Sequence, residues 1–125
     1  MLNNVSLIGR LTKDVVLMQV GENVKAVYTI AVNRDYKDKN GTTPCDFLEI
    51  ESWNAAASFL EEYTGKGDLI SVSGSLRLNI YEDKEGNKRY KTYVQGDRVN
   101  LLAKSLNQKN EELTAKPKKP AYKRK

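Results

Sequence analysis

An all-β barrel of five strands, with one helix between the third strand and the fourth, is the fold this sequence predicts. Three observations carry that expectation. Apolar and polar residues alternate over 5–11, 24–33, 47–53, 69–81 and 89–102. One window, just after Trp53, switches to helical spacing. Turn-forming residues punctuate these segments, at Asn40-Gly41, Gly65-Lys66-Gly67 and Gly86-Asn87.

Each element follows from its own residues. In the first strand Val5, Leu7, Gly9 and Leu11 alternate with Ser6, Ile8 and Arg10. The second carries Val24, Ala26, Tyr28, Ile30 and Val32 at period two. A polar stretch over 34–44 follows, with its Asn-Gly turn signal. Residues 47–53 make the third strand. Asn54 suits a helix N-cap, because its side-chain oxygen can accept an orphan backbone N–H. Ala56, Phe59, Leu60 and Tyr63 then fall at i, i+3, i+4 and i+7, one face of a helix. Gly65-Lys66-Gly67 stops it. The long fourth strand places Ile70, Val72, Gly74, Leu76, Leu78 and Ile80 in an expected inner row. A hairpin loop over 82–88 leads to the fifth strand, with a bend expected near Gly96-Asp97. Closing such a sheet removes exposed edges. The order strand-strand-strand-helix-strand-strand is that of the OB-fold, a five-stranded Greek-key barrel that offers the face around strands two and three to oligonucleotides or oligosaccharides.

Composition bounds the chemistry. The chain has 125 residues, which suits one domain. It has no His and one Cys, so within one chain no Cys/His zinc site, no Ser-His-Asp or Cys-His catalytic pair and no disulfide can form. No cofactor is expected. No apolar run reaches membrane-spanning length, and the N-terminus lacks the pattern of a secretory signal. The expectation is a cytoplasmic, non-membrane protein. Composition shifts near residue 104. The body, 1–104, holds 14 Lys+Arg and 14 Asp+Glu and so sums to zero. The stretch 105–125 holds 7 against 2, is rich in Lys and Pro, and carries the whole net charge of +5. It is expected to be a disordered basic tail.

Parity within the strands carries the functional signal. If Leu48 and Ile50 face the core, then Phe47, Glu49, Glu51 and Trp53 face outward. In the fourth strand Ser71, Ser73, Ser75, Arg77, Asn79 and Tyr81 form the outer row. Tyr36 lies just past the second strand, flanked by Arg34, Lys37 and Lys39. Exposed aromatics among cations suit single-stranded nucleic acid, whose bases stack on rings while Lys and Arg follow the phosphates. Two enzyme-like readings are weaker. Asp46, Glu49 and Glu51 are conceivable Mg²⁺ ligands, but same-face carboxylates two apart on a strand are common surface pairs. Cys45 has no adjacent base candidate to activate it. A non-catalytic binding role is expected.

The resemblance is then specific. Asn4-Val5-Ser6-Leu7-Ile8-Gly9-Arg10-Leu11-Thr12-Lys13-Asp14 resembles the opening of bacterial-type single-stranded DNA-binding proteins. So do Ile30-Ala31-Val32-Asn33-Arg34, Asp46-Phe47, Trp53 and Gly65-Lys66-Gly67-Asp68-Leu69-Ile70. Gly74-Ser75-Leu76-Arg77, Tyr81-Glu82-Asp83 and Gly86-Asn87-Lys88-Arg89-Tyr90 continue the match. It runs from residue 1 to about 103. The resemblance implies non-specific binding of single-stranded DNA by a homotetramer of OB-folds, in replication, recombination and repair. By position it implies stacking by Tyr36, Phe47, Trp53 and Tyr81, and phosphate contacts from Lys39, Lys66 and Arg77, beside the Arg34 and Lys37 that composition suggests. Glu49, Ala55, Asn79 and Ile80 stand where many members carry a basic residue, which implies weaker phosphate contacts. Typical cellular members end in an acidic tip that docks replication proteins. This sequence ends Tyr122-Lys123-Arg124-Lys125, so such docking is not expected and a phage-, plasmid- or paralogue-type member is. An OB-fold primosomal adaptor, joining single strands to partner proteins, is the alternative.

Overall fold

Closure of the sheet is achieved by the first strand, which pairs at both of its edges. The protein is described by a computed structural model covering residues 1–105. Its elements are β1 (Val5–Leu11), β2 (Leu17–Val20), β3 (Asn23–Asn33), β4 (Cys45–Trp53), α1 (Asn54–Tyr63), β5 (Leu69–Glu82) and β6 (Lys88–Ala103). The strand order is β1-β5-β6-β4-β3-β2, and β1 also pairs β3 at Arg10↔Ala31 and Leu11↔Ile30. The β4–β6 pairing is parallel, and the others are antiparallel. This is the expected strand-rich barrel with one helix between the β4 and β5 strands. The expected tail over 105–125 lies outside the described residues, apart from Ser105.

Six strands stand where five were expected. The extra one, β2 (Leu17–Val20), continues the apolar run Val15-Val16-Leu17-Met18, where no alternation reveals it. It forms a short hairpin with β3 across Gly21-Glu22, where Gly21 adopts φ +62°.

Ala26, Ile30, Ile50, Ile70 and Val72 fill the barrel, and α1 closes one end of it with Ala57 and Leu60. Burying apolar side chains of this size is worth about 1.5–3 kcal/mol each before chain entropy is counted. Two polar devices sit within the core. The Tyr28 hydroxyl and Ser52 Oγ lie 2.8 Å apart, and Ser52 Oγ donates to the Gly96 carbonyl at 2.9 Å. Burial pushes the Tyr28 phenol up to about 12, against the opposing pull of Ser52. Asp68, fully buried, accepts from the Gly65 and Ser105 amides at 2.9 Å each. That carboxylate fastens the entry to β5 against the exit from β6.

Two local expectations are corrected. Asn54 is not the N-cap of α1: Trp53 holds that position, with no side-chain cap bond. Asn54 instead adopts φ +51°, and its side chain accepts from Val24 N and donates to Asn23 Oδ1. It ties the helix start to the β2–β3 hairpin. The inner row of β5 also ends early. Ile70 and Val72 are buried, but Leu76, Leu78 and Ile80 are each at least half exposed. Register explains this. Ser73 pairs Arg98 while Gly74 pairs Gly96, so Asp97 is an extra residue in a bulge. Val94 and Gln95 still pair Ile50 and Glu51 of β4, but from Arg77↔Tyr93 out to Glu82↔Lys88 β5 and β6 pair only with each other. The inner row therefore runs off the barrel along a two-stranded arm.

Candidate nucleic-acid interface

The register aligns one outward face across four adjacent strands. On β4 it holds Phe47, Glu49, Glu51 and Trp53, opposite Ala31, Thr29, Val27 and Lys25 of β3. Glu51 pairs Gln95 of β6, which sets Lys91 and Tyr93 on the same side. Across the arm Tyr93, Lys91 and Arg89 pair Arg77, Asn79 and Tyr81 of β5. The sheet thus brings Phe47, Trp53, Tyr81 and Arg77 of the expected set onto one surface. Phe47 is 67 % exposed and Tyr81 46 %, while Trp53 is half-buried. Rings held this way on rigid strands present their faces with little entropy left to lose.

Ion pairs cross this face. Lys91 Nζ lies 2.7 Å from Glu49 Oε1, joining the arm to β4. Its hydrogen bond with Glu49 raises the Lys91 pKa. Lys25 Nζ lies 3.4 Å from Glu51 Oε1 and 5.4 Å from the centre of the Trp53 ring, a cation–π contact. Asp46 is forked by Arg34, whose Nη2 donates at 2.9 Å and Nε at 3.1 Å. That fork holds the Asp46 carboxyl below its usual range. Each carboxylate of the conceivable Mg²⁺ set is therefore engaged by its own cation. Among the described residues no group of three metal-binding side chains is assembled.

The other expected residues lie apart from the sheet face. Arg34 Nη1 donates to the Tyr36 hydroxyl at 2.9 Å, so Arg34 fixes Tyr36 while its Nε and Nη2 donate to Asp46. Tyr36, Lys37 and Lys39 are exposed in the β3–β4 loop, which Asp38 shapes by accepting from the Asn40 and Thr42 amides. Lys66 is exposed in the turn before β5, at the opposite end of that strand from Tyr81, and its amide donates to Asp14 Oδ1.

Sequence reasoning missed five members of the face. Arg89, Lys91 and Tyr93 alternate with Tyr90, Thr92 and Val94, so parity in the last strand carried the signal. Lys25 is the outward residue before Ala26, and Met18 of β2, opposite Lys25, continues the face to the sheet edge.

The single-strand binding protein family matches residues 2–102. A relative named "Single-stranded DNA-binding protein 4", from Streptococcus agalactiae, is 38% identical over 112 residues, covering 89% of this chain and 81% of the relative. "Single-stranded DNA-binding protein" of Caldanaerobacter subterraneus is 40% identical over 103 residues, covering 82% and 69%. "Single-stranded DNA-binding protein 1" of Clostridium acetobutylicum is 38% identical over 103 residues, covering 81% of this chain and 94% of its own. A match across almost the whole described barrel, with relatives at this identity, places the chain in the single-strand binding protein family.

Proposed function

We propose that this chain binds single-stranded DNA without sequence preference, coating and protecting it during replication, recombination and repair. One observation carries the reading: exposed aromatic rings and cations share one face over four adjacent strands. Phe47, Trp53, Tyr81 and Tyr93 stack bases, and Arg77, Arg89 and Lys91 follow phosphates. Tyr36, Lys37 and Lys39 reach the strand from their loop, held by Arg34. Lys66 extends the phosphate track at the far end of β5. The role is non-catalytic, and it suits the cytoplasm of a bacterium or of a phage host. In the full chain, 1–104 is the binding domain and 105–125 a basic tail. Trp53 is the sole Trp, so its emission reports the face directly. Oligo-dT is expected to quench it strongly, and duplex of equal length hardly at all. Equal quenching by both would sink the reading.

The reading includes a homotetramer. Leu76, Leu78 and Ile80 present an apolar row on the reverse of the arm, and each is at least half exposed. Among the described residues, β1 pairs β3 only at Arg10 and Leu11, leaving residues 5–9 with a free edge. Leu78→Asp is expected to lower the solution mass by light scattering while leaving the far-UV circular dichroism intact. An unchanged mass would remove this face from the assembly.

A further inference from the structure

We propose that Glu49 and Glu51 are built-in competitors for DNA phosphate, which hold Lys91 and Lys25 neutralised on the stacking face and so set how tightly and how salt-sensitively the chain binds. The inference rests on the single-strand reading and deepens it.

The geometry is direct. Both carboxylates lie on the row that carries Phe47 and Trp53, between the two rings and each two residues from one of them. Glu49 reaches across to β6 and contacts Lys91 Nζ at 2.7 Å. Glu51 reaches across to β3 and contacts Lys25 Nζ at 3.4 Å. Both are partly screened from water, with side-chain exposures of 31% and 20%. A phosphate that follows the rings meets cations already bonded to a carboxylate. To take Lys91 it must displace Glu49, and the freed carboxylate then gathers a cation from solution. That uptake offsets the counterion which the phosphate releases. A protein cation without such a partner contributes a slope of about −0.7 to log affinity against log salt on a single strand. A self-paired one contributes close to none. The cations on this face therefore outnumber those that salt dependence can register.

A second consequence concerns the rings. Lys25 stands over Trp53 while bonded to Glu51, so one carboxylate fixes the cation that covers one side of the indole. Releasing that pair frees Lys25 for phosphate while Trp53 keeps its place on β4.

The test is a titration of labelled oligo-dT by anisotropy, over a range of salt, with the full chain and three variants. Glu49→Gln and Glu51→Gln remove one competitor each. Glu62→Gln makes the same change in net charge from an exposed position on α1, off the face. Each face variant is expected to bind roughly two- to fivefold tighter at moderate salt. Each is expected to steepen the salt slope by about 0.7. Glu62→Gln is expected to change neither. If all three variants tighten binding alike, the effect is the net field of the protein and the proposal fails. If Glu49→Gln and Glu51→Gln bind no tighter than the parent, the carboxylates hold their cations in place without competing, and the proposal again fails. If the parent chain binds no oligo-dT at any salt, the single-strand reading itself fails and the proposal with it.

Discussion

At the scale of single residues, exposure separates binding from folding. Phe47 is the most exposed ring of the face, at 67 %. Phe47→Ala is expected to cost about 1–3 kcal/mol of oligo-dT binding and to leave the melting temperature unchanged. Titration and calorimetry on the same sample check both halves. Gly74 shows the reverse case. A Cβ there would lie 1.7 Å from the Gln95 carbonyl oxygen, which is backbone and cannot swing aside. Gly74→Ala is expected to cost about 3 kcal/mol of stability, read as a lower denaturant midpoint, because the bulge between β5 and β6 must open to admit it. Phe47 was legible as an outward residue from its alternation with Leu48. The need for glycine at 74 was not, since it depends on the approach of a strand twenty residues away.

At the scale of elements, the sequence names a strand more easily than it names what covers it. Alternation marks β5 as one long strand with an apolar row, and one long strand is what the chain forms. Nothing in Leu76, Leu78 or Ile80 says that β6 leaves the barrel beside them. That follows from the extra residue at Asp97, although Gly96-Asp97 did mark where the bend falls. The helix start differs for a similar reason: Asn54 spends its side chain on the β2–β3 hairpin, an element with no periodic signature. The arm also carries its own acid-sensitive tip. Asp83 Oδ1 accepts from the Glu85 and Asn87 amides at 2.9 Å, and Oδ2 accepts from Arg89 Nε at 2.8 Å. These bonds, that with Asn87 foremost, hold the Asp83 carboxyl below its ordinary value. A depressed folded-state value means the stabilisation is complete above the unfolded value near 3.9 and fades as pH falls through the folded one. The amide resonances of Glu85 and Asn87 are therefore expected to hold steady from neutral pH to about 4 and to shift below it. Asp83→Asn should abolish that transition, and a transition that persists in the variant would assign it to another group.

At the scale of the whole molecule, the distribution of charge matters more than its sum. The chain carries +5, yet 14 Lys+Arg balance 14 Asp+Glu over residues 1–104, and the excess lies entirely in the segment that follows. A neutral barrel attracts a polyanion weakly at long range, so on the proposed reading its binding rests on stacked rings and on cations placed at short range, three of them already paired. Residues 106–125 can act in the opposite way, through unspecific attraction that salt removes. The two contributions are separable because the barrel closes before that segment begins: the Ser105 amide is already bonded to Asp68, and a chain ending at Ser105 keeps that bond. Such a truncated chain is expected to keep the melting temperature of the parent. Its affinity for oligo-dT should be lower at low salt and its salt slope shallower, so that the two binding curves converge as salt rises and screening leaves only the stacked rings. Identical affinities at low salt would mean that the basic segment never meets the strand. The shared slope would then belong to Arg77 and the loop and turn lysines alone.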